Sequence, residues 1–229
     1  MRFVTHLIVK IILAFVGISV ALVVLFKFVP VPFTATMLMD PHGFTKTWEP
    51  LSNIDRNLVR AAIAGEDSQF CEHSGFDKAA IEKAIKHNAA VRESDRGHIR
   101  GGSTISQQTA KNVFLWQNGG YVRKGLEAWF TFLIEHIWGK RRIMEVYLNV
   151  AETGIGTYGA EAGAERYFNH SAAHLTPIEA ARMAAALPLP KERRVVSPTG
   201  WLLRHGNTIS ARIGVVRRDA LDHCVYPGN

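Results

Sequence analysis

Residues 7–29 are almost wholly apolar, broken by Lys10, Ser19 and Lys27 apart from a few small residues. As a helix, a run of that length crosses roughly 30 Å of hydrocarbon. Lys10 and Lys27 stand near its ends, where their charged tips can reach the headgroups while their stems stay in the apolar phase. A cleaved signal peptide is the competing reading. The run is long for one, and no small-x-small cleavage pattern precedes Pro30-Val31-Pro32, so the sequence predicts a signal anchor. Arg2, His6 and Lys10 lie at its start, which places the N-terminus in the cytoplasm by the positive-inside rule, although Lys27 and Lys46 soften the asymmetry. The expected organisation is residues 1–6 inside, 7–29 in the membrane, 30–50 as a Pro- and Thr-containing connector, and 51–229 as one extracytoplasmic domain.

The formal charge of +7 over 229 residues points to an anionic partner. Nucleic acid, an anionic membrane surface and a phosphorylated substrate are the candidates, and the N-terminal anchor argues against nucleic acid. Hydrophobic residues make up 47% of the chain, enough for a packed core. Cys71 and Cys224 match no metal-ligand spacing. A disulfide between them is open to a chain outside the cytoplasm, though nothing in the sequence favours it.

The pattern beyond the connector is helical. Ser52 and Asp55 resemble a helix start, and Leu58, Ala61, Ala62 and Ile63 predict a buried helix over 55–64, ending near Gly65. Asp77 can cap a helix over 78–90. Residues 91–102 are charged and contain glycine, and are expected to form a mobile loop. Ser103 is the expected N-cap of a helix over 104–115. Further helices are expected over 121–138, 141–150 and 159–168, with 152–158 as a glycine-rich loop. Thr176, Pro177 and Glu179 have cap, first-position proline and capping-box spacing for a helix to Leu187. A last helix is expected over 201–223. No convincing strand longer than four residues is visible, so the domain is expected to be mostly α.

Three stretches could carry chemistry. The first is Glu66-Asp67-x-x-Phe70-x-x-His73-x-Gly75-x-Asp77, where a helix ends in two acids and Gly75 permits a turn that folds His73 and Asp77 back towards them. An acid at a helix end is ordinarily just exposed, and a lone histidine is ordinarily a structural hydrogen-bonder. A metal site from Glu66, Asp67, His73 and Asp77 fits no common spacing, and no metal is expected. The second is Gly101-Gly102-Ser103-Thr104-Ile105-Ser106-Gln107-Gln108-x-x-Lys111. It has no Gly-Lys-Ser/Thr for a nucleotide P-loop, but Gln107, Gln108 and Lys111 have the spacing of one helix face, suited to a sugar linked to phosphate or to a solvated surface. The third is Arg123-Lys124-x-x-Glu127, either a surface ion pair of up to about 0.5 kcal/mol or a second carboxylate held beside cations able to grip a diphosphate. Two carboxylates from different helices are the usual equipment of glycosidic chemistry.

These motifs, with Arg142-Ile143-x-Glu145-x-Tyr147-Leu148-Asn149, Tyr158-Gly159-x-Glu161-x-x-Ala164-x-x-Tyr167-Phe168 and Ala180-Ala181-x-x-Ala184-Ala185-x-Leu187-Pro188, resemble in order the peptidoglycan glycosyltransferases, the module also found in bifunctional penicillin-binding proteins. The chain ends without a transpeptidase-sized second domain and so resembles the monofunctional members. The resemblance implies a lysozyme-like, two-lobed, mainly α domain on the periplasmic side of a bacterial inner membrane. The implied substrates are lipid II and the lipid-linked nascent glycan. Glu66 would be the general base and Glu127 the second acid. Lys111, Lys124 and Arg123 would meet the diphosphate, while Ser103, Thr104, Gln107 and Gln108 would line the cleft. Asp67, Phe70, His73, Gly75 and Asp77 would shape the first motif. No cofactor is implied, beyond stimulation by Mg or Mn through charge screening. Cell-wall synthesis or division proteins are the partner class.

One departure stands out. Many relatives carry an arginine four residues before the position of Arg123, where this chain has Gly119, or Gly120 if the alignment slips by one. Either Arg123 or Arg100 compensates, or the donor is held less tightly. A glycan-cleaving enzyme on a similar fold is the rival activity, but it needs a protonated acid and has no use for Lys111 and Lys124 around a diphosphate. A membrane-anchored scaffold with a dead site is the non-enzymatic rival, and the intact Glu66 and Glu127 argue against it.

Overall fold

The apolar run is part of α1 (Arg2–Phe28), a helix long and apolar enough to cross a membrane. The computed structural model describes residues 2–94 and 101–228. Along most of α1 the side chains are exposed, but its C-terminal half leans on the rest of the chain. Ser19 Oγ accepts from Trp129 Nε1 at 3.0 Å, and the Val23 carbonyl accepts from Trp138 Nε1 at 2.6 Å. The Arg142 guanidinium donates to the Phe26 and Val29 carbonyls, which lie among the orphan acceptors of a helix C-terminus.

After α2 (Ala35–Leu38) and the two-residue strand β1 (Thr45–Lys46), the chain enters α3 (Arg56–Glu66). Asp55 caps α3, accepting from the Asn57 N–H at 2.7 Å. The helix does not stop at Gly65. A Cβ there would sit 3.0 Å from Ile209 Cδ1, so Gly65 serves close helix packing and the helix runs on to Glu66. Next come α4 (Lys78–Ser94), α5 (Ile105–Phe114), α6 (Gly120–Ile137) and α7 (Lys140–Val150). Helix α4 covers the first residues of the expected mobile loop; residues 95–100, including Arg100, lie outside the described residues.

The strands β2 (Glu152–Gly154) and β3 (Thr157–Tyr158) join β1 in a small sheet of order β1-β3-β2, with β1 parallel and β2 antiparallel to β3. The helices α8 (Ala160–Phe168), α9 (Pro177–Ala186) and α10 (Gly200–Arg218) complete the chain. Thr176 and Glu179 form the expected capping box, with Pro177 at the first helical position. The last helix ends at Arg218, and tight turns carry the chain on to Cys224.

Two packed groups share one continuous core, mainly α as expected. In one, α3, α9 and α10 pack on each other; in the other, α5 packs against α6 and α7. Tyr147, Phe70, Ile63, Ile105 and Ile134 are among the fully buried side chains, each contributing about 1.5–3 kcal/mol in transfer from water if aliphatic or Phe. Cys71 and Cys224 form a disulfide across 153 residues, against the sequence expectation. The long separation hides the pairing from any local pattern, yet folding brings their Cα atoms to 5.4 Å.

Candidate active site

Glu66 is the last residue of α3, and its carboxylate Oε2 accepts from Gln108 Nε2 on α5 at 2.9 Å. Burial pushes the Glu66 carboxyl above its ordinary range. The Gln108 hydrogen bond and the positive charges of Arg193 and Lys111 oppose the rise, while neighbouring Asp67 adds to it. A carboxylate made more basic by desolvation, but kept in the reach of cations, suits a general base.

The rest of the first motif builds the turn that holds Glu66. Asp67 is buried and accepts from the Ile105 N–H at 3.0 Å, tying the end of α3 to the start of α5. His73 Nε2 lies 3.0 and 3.1 Å from the two Asp67 oxygens, and His73 Nδ1 accepts from the Gly75 N–H at 3.1 Å. The second contact assigns the ring proton of a neutral His73 to Nε2, facing Asp67. Gly75 has φ +90°, and a Cβ there would lie 2.7 Å from Thr131 Cγ2, so both conformation and space require glycine. Its carbonyl accepts from Thr104 Oγ1 at 2.7 Å. Phe70 is fully buried, with Lys140 Nζ 4.5 Å from its ring centroid. Asp77 caps α4, accepting from the Ala80 N–H at 2.9 Å.

The second motif differs from expectation in two places. Thr104, not Ser103, is the N-cap of α5, because its hydroxyl can both donate to Gly75 and accept from the Gln107 N–H. Gln107 completes that capping box through its own Oε1, which accepts from the Thr104 N–H at 3.1 Å, and it is 4% exposed. Its side chain therefore belongs to the packing, not to a wet face shared with Gln108 and Lys111. Those two line a cleft of about 350 Å³ together with Tyr147. Ser103 Oγ lies 3.2 Å from Lys124 Nζ, which donates to it.

The third motif supplies a carboxylate that is buried, not a surface ion pair. Glu127 on α6 is 2% exposed, and its two oxygens are met separately by Arg123 Nη1 at 2.8 Å and by Lys124 Nζ. Arg123 Nε is buried with no hydrogen-bond partner. Burial pushes the Lys111 ammonium below its ordinary range; Glu127 and Glu66 pull it back up, and Arg123 and Lys124 push it further down. Lys111 is thus electrostatically linked to both acids. Gly119, one of the two positions where the resemblance implies an arginine (the other being Gly120), is the N-cap of α6 at φ +117°. A Cβ there would lie 2.9 Å from Arg123 Cβ, so this backbone admits no side chain.

Sequence reasoning missed three contributors. Arg193 acts on Glu66 from the segment after α9; its Nη1 donates to the Ala185 carbonyl at 2.7 Å and its guanidinium lies 4.9 Å from the Trp201 ring. Glu135 bridges three helices, accepting from Ser106 Oγ at 2.5 Å and Lys140 Nζ at 2.7 Å. The third is a polar group of Asp40, Glu152, Tyr158 and Lys191, of which the last three line the cleft. Glu152 and Tyr158 face each other across β2 and β3, but Asp40 and Lys191 come from distant stretches, and no spacing signals that they join them.

A family model described as transglycosylase matches residues 34–213. A protein named biosynthetic peptidoglycan transglycosylase from Caulobacter vibrioides is 49% identical over 227 residues, covering 98% of this chain and 97% of that protein. Proteins of the same name from Bdellovibrio bacteriovorus and Rhodospirillum centenum are 44% and 46% identical, covering 94% and 90% of this chain and 88% and 89% of their own lengths.

Proposed function

This chain belongs to the transglycosylase family, and from that premise we infer how its cleft works. It is a peptidoglycan glycosyltransferase that polymerises glycan chains on lipid-linked substrates. Glu66 takes the proton from the 4-hydroxyl of a lipid II acceptor. The acceptor oxygen attacks the anomeric carbon of the growing glycan, which is the donor. As the new β-1,4 bond forms, the bond from that carbon to the diphosphate oxygen breaks, and the configuration inverts from α. The electron pair leaves on undecaprenyl diphosphate.

Lys111, Lys124 and Arg123 meet the charge that builds on the leaving group. A diphosphate whose charge is met leaves without a general acid, so placed cations replace one. Glu127 holds Arg123 and Lys124 in position for that task. Gln108 orients Glu66; Thr104 fixes the start of α5 through its cap and its bond to the Gly75 carbonyl, and Ser103, which like Thr104 does not line the cleft, accepts from Lys124. The single observation that carries this reading is the half-buried Lys111 lining the cleft beside Gln108, the residue that bonds Glu66. The scheme uses no cofactor; Mg or Mn would act by screening the diphosphate.

Helix α1 serves as a single-pass anchor of the inner membrane, with the domain on its periplasmic face beside the lipid-linked substrate. The Cys71–Cys224 disulfide supports that placement, since such bonds persist in oxidising compartments. Lipid II labelled on its sugar and incubated with the full chain in detergent tests the activity. The expected result is labelled polymer. Shortening of finished peptidoglycan with no polymer from lipid II would establish the glycan-cleaving alternative instead.

A further inference from the structure

The segment after α10, residues 219–228, does not trail off into solvent. Asp222 is buried and its Oδ2 accepts from Arg60 Nε on α3 at 2.8 Å. Val225 is fully buried, and its carbonyl accepts from Arg141 Nη1 on α7 at 3.0 Å. The guanidiniums of Arg56 and Arg141 lie 4.5 and 5.9 Å from the centroid of the Tyr226 ring, close enough for cation–π attraction. Cys224 is bonded to Cys71, and its N–H also donates to Cys71 Sγ at 3.3 Å. None of these residues lines the cleft.

Those contacts bracket one residue. Arg56 and Arg60 stand on α3, whose last residue is Glu66, and Cys71 stands in the turn that follows it. The turn is fastened to α5 through Asp67 and the Ile105 N–H, and through the Gly75 carbonyl and Thr104 Oγ1. The disulfide fastens it to the segment 219–228. The segment therefore grips the chain before and after Glu66 without touching the cleft. Its ion pair and ring contacts do not need the S–S bond, so reduction loosens the turn while the segment stays docked. Both cysteines are partly exposed, which leaves the bond within reach of a thiol.

We propose that the segment 219–228 is a positioning strap for the base Glu66, and that joining Cys71 to Cys224 switches polymerisation on. The proposal rests on the polymerase reading of the cleft and adds to it a dependence on thiol oxidation. Closing the strap takes a disulfide-bearing oxidant. The thiolate of one cysteine attacks that disulfide and releases a thiol, and the second cysteine then displaces the other half. The two cysteines lose two electrons and two protons as the S–S bond forms, and the oxidant leaves as two thiols.

The test compares the oxidised full chain in detergent with the dithiol-reduced chain and with Cys71→Ser/Cys224→Ser, at a temperature where melting curves show all three folded. With lipid II, reduction should lower kcat about tenfold and leave KM within about twofold, since misplacing a reacting group by about 1 Å can cost about 10²-fold. The acid limb of the pH–rate profile should move down towards the ordinary glutamate range, because a loosened turn rehydrates a carboxyl whose pKa burial raises. Oxidised glutathione should restore both in wild type and neither in the double variant. Thr176→Ala, which removes the α9 cap, controls for stability alone: it should lower the melting temperature and keep the wild-type kcat. Amide hydrogen exchange, which needs no turnover, should quicken about tenfold or more over residues 67–73 on reduction and stay unchanged in α5. Equal kcat in the two redox states, a kcat in Thr176→Ala that falls in step with its melting temperature, or unchanged exchange over 67–73 would each overturn the proposal. No polymer from the oxidised wild type, with exchange over 67–73 still quickened by reduction, would support the strap and count against the polymerase reading alone.

Discussion

Breaking the Cys71–Cys224 bond should lower stability by an amount set by chain entropy. The bond closes a loop of 153 residues. Loop-closure entropy of −2.1 − 1.5R ln n gives about −17 cal/mol/K for that length, or about 5 kcal/mol at 25 °C. In a domain of this size 1 kcal/mol is worth about 2–4 °C, so the melting temperature should fall by about 10–20 °C. The local consequence is equally specific. Cys71 lies five residues beyond Glu66, and the Cys224 N–H donates to Cys71 Sγ at 3.3 Å, so the bond clamps the turn carrying the base to the segment after α10. The assay is thermal unfolding of the full chain in detergent, oxidised against reduced with a dithiol, with thiols counted to confirm complete reduction, and repeated on Cys71→Ser/Cys224→Ser. A shift under 2 °C in both the reduced protein and the double variant would refute the reasoning.

Lys111→Met should raise KM for the lipid-linked donor and lower kcat while leaving the melting temperature unchanged or higher, because it removes a desolvated charge; a lowered melting temperature with wild-type kinetics would show a structural role, and steady-state assays with lipid II decide. The pH–rate profile should show an acid limb above the ordinary glutamate range, because burial raises the Glu66 pKa and the base works only when ionised. The same shift has the opposite sign for stability: the folded state holds the Glu66 proton more tightly than the unfolded chain, so this contribution is present at low pH and lost as pH rises through the folded pKa. Loss of the raised limb in Glu66→Asp, with folding intact, would tie it to this residue.

How legible was this in the sequence? The long N-terminal apolar helix was, and so was the α9 start, where Thr176, Pro177 and Glu179 form a local signal that tertiary packing leaves intact. The end of α3 falls at Glu66, one residue past the Gly65 near which it was expected, because the missing Cβ of Gly65 makes room for Ile209 from α10 and does not stop the helix. Thr104 displaced Ser103 as the cap because the carbonyl of Gly75, from another motif, needs its hydroxyl. The cleft shows the same division. Glu66, Gln108, Lys111 and Glu127 belong to motifs with internal spacing. Arg193 acts on Glu66, Lys191 joins Asp40 to Glu152, and Cys71 meets Cys224 only through long-range folding. Asp67 and His73 were assigned to the turn from sequence, and they lock it by bonding each other and the first N–H of α5.

The central claim is that Glu66 removes the acceptor's proton, and polymer formation from labelled lipid II by Glu66→Gln tests it most directly. The amide keeps the size of the side chain and can keep a contact to Gln108, so folding should be preserved. Loss of a general base typically costs about 10²–10⁴-fold in rate, and the account predicts a fall in that range with the melting temperature no lower than wild type. Polymerisation by Glu66→Gln at the wild-type rate would contradict it.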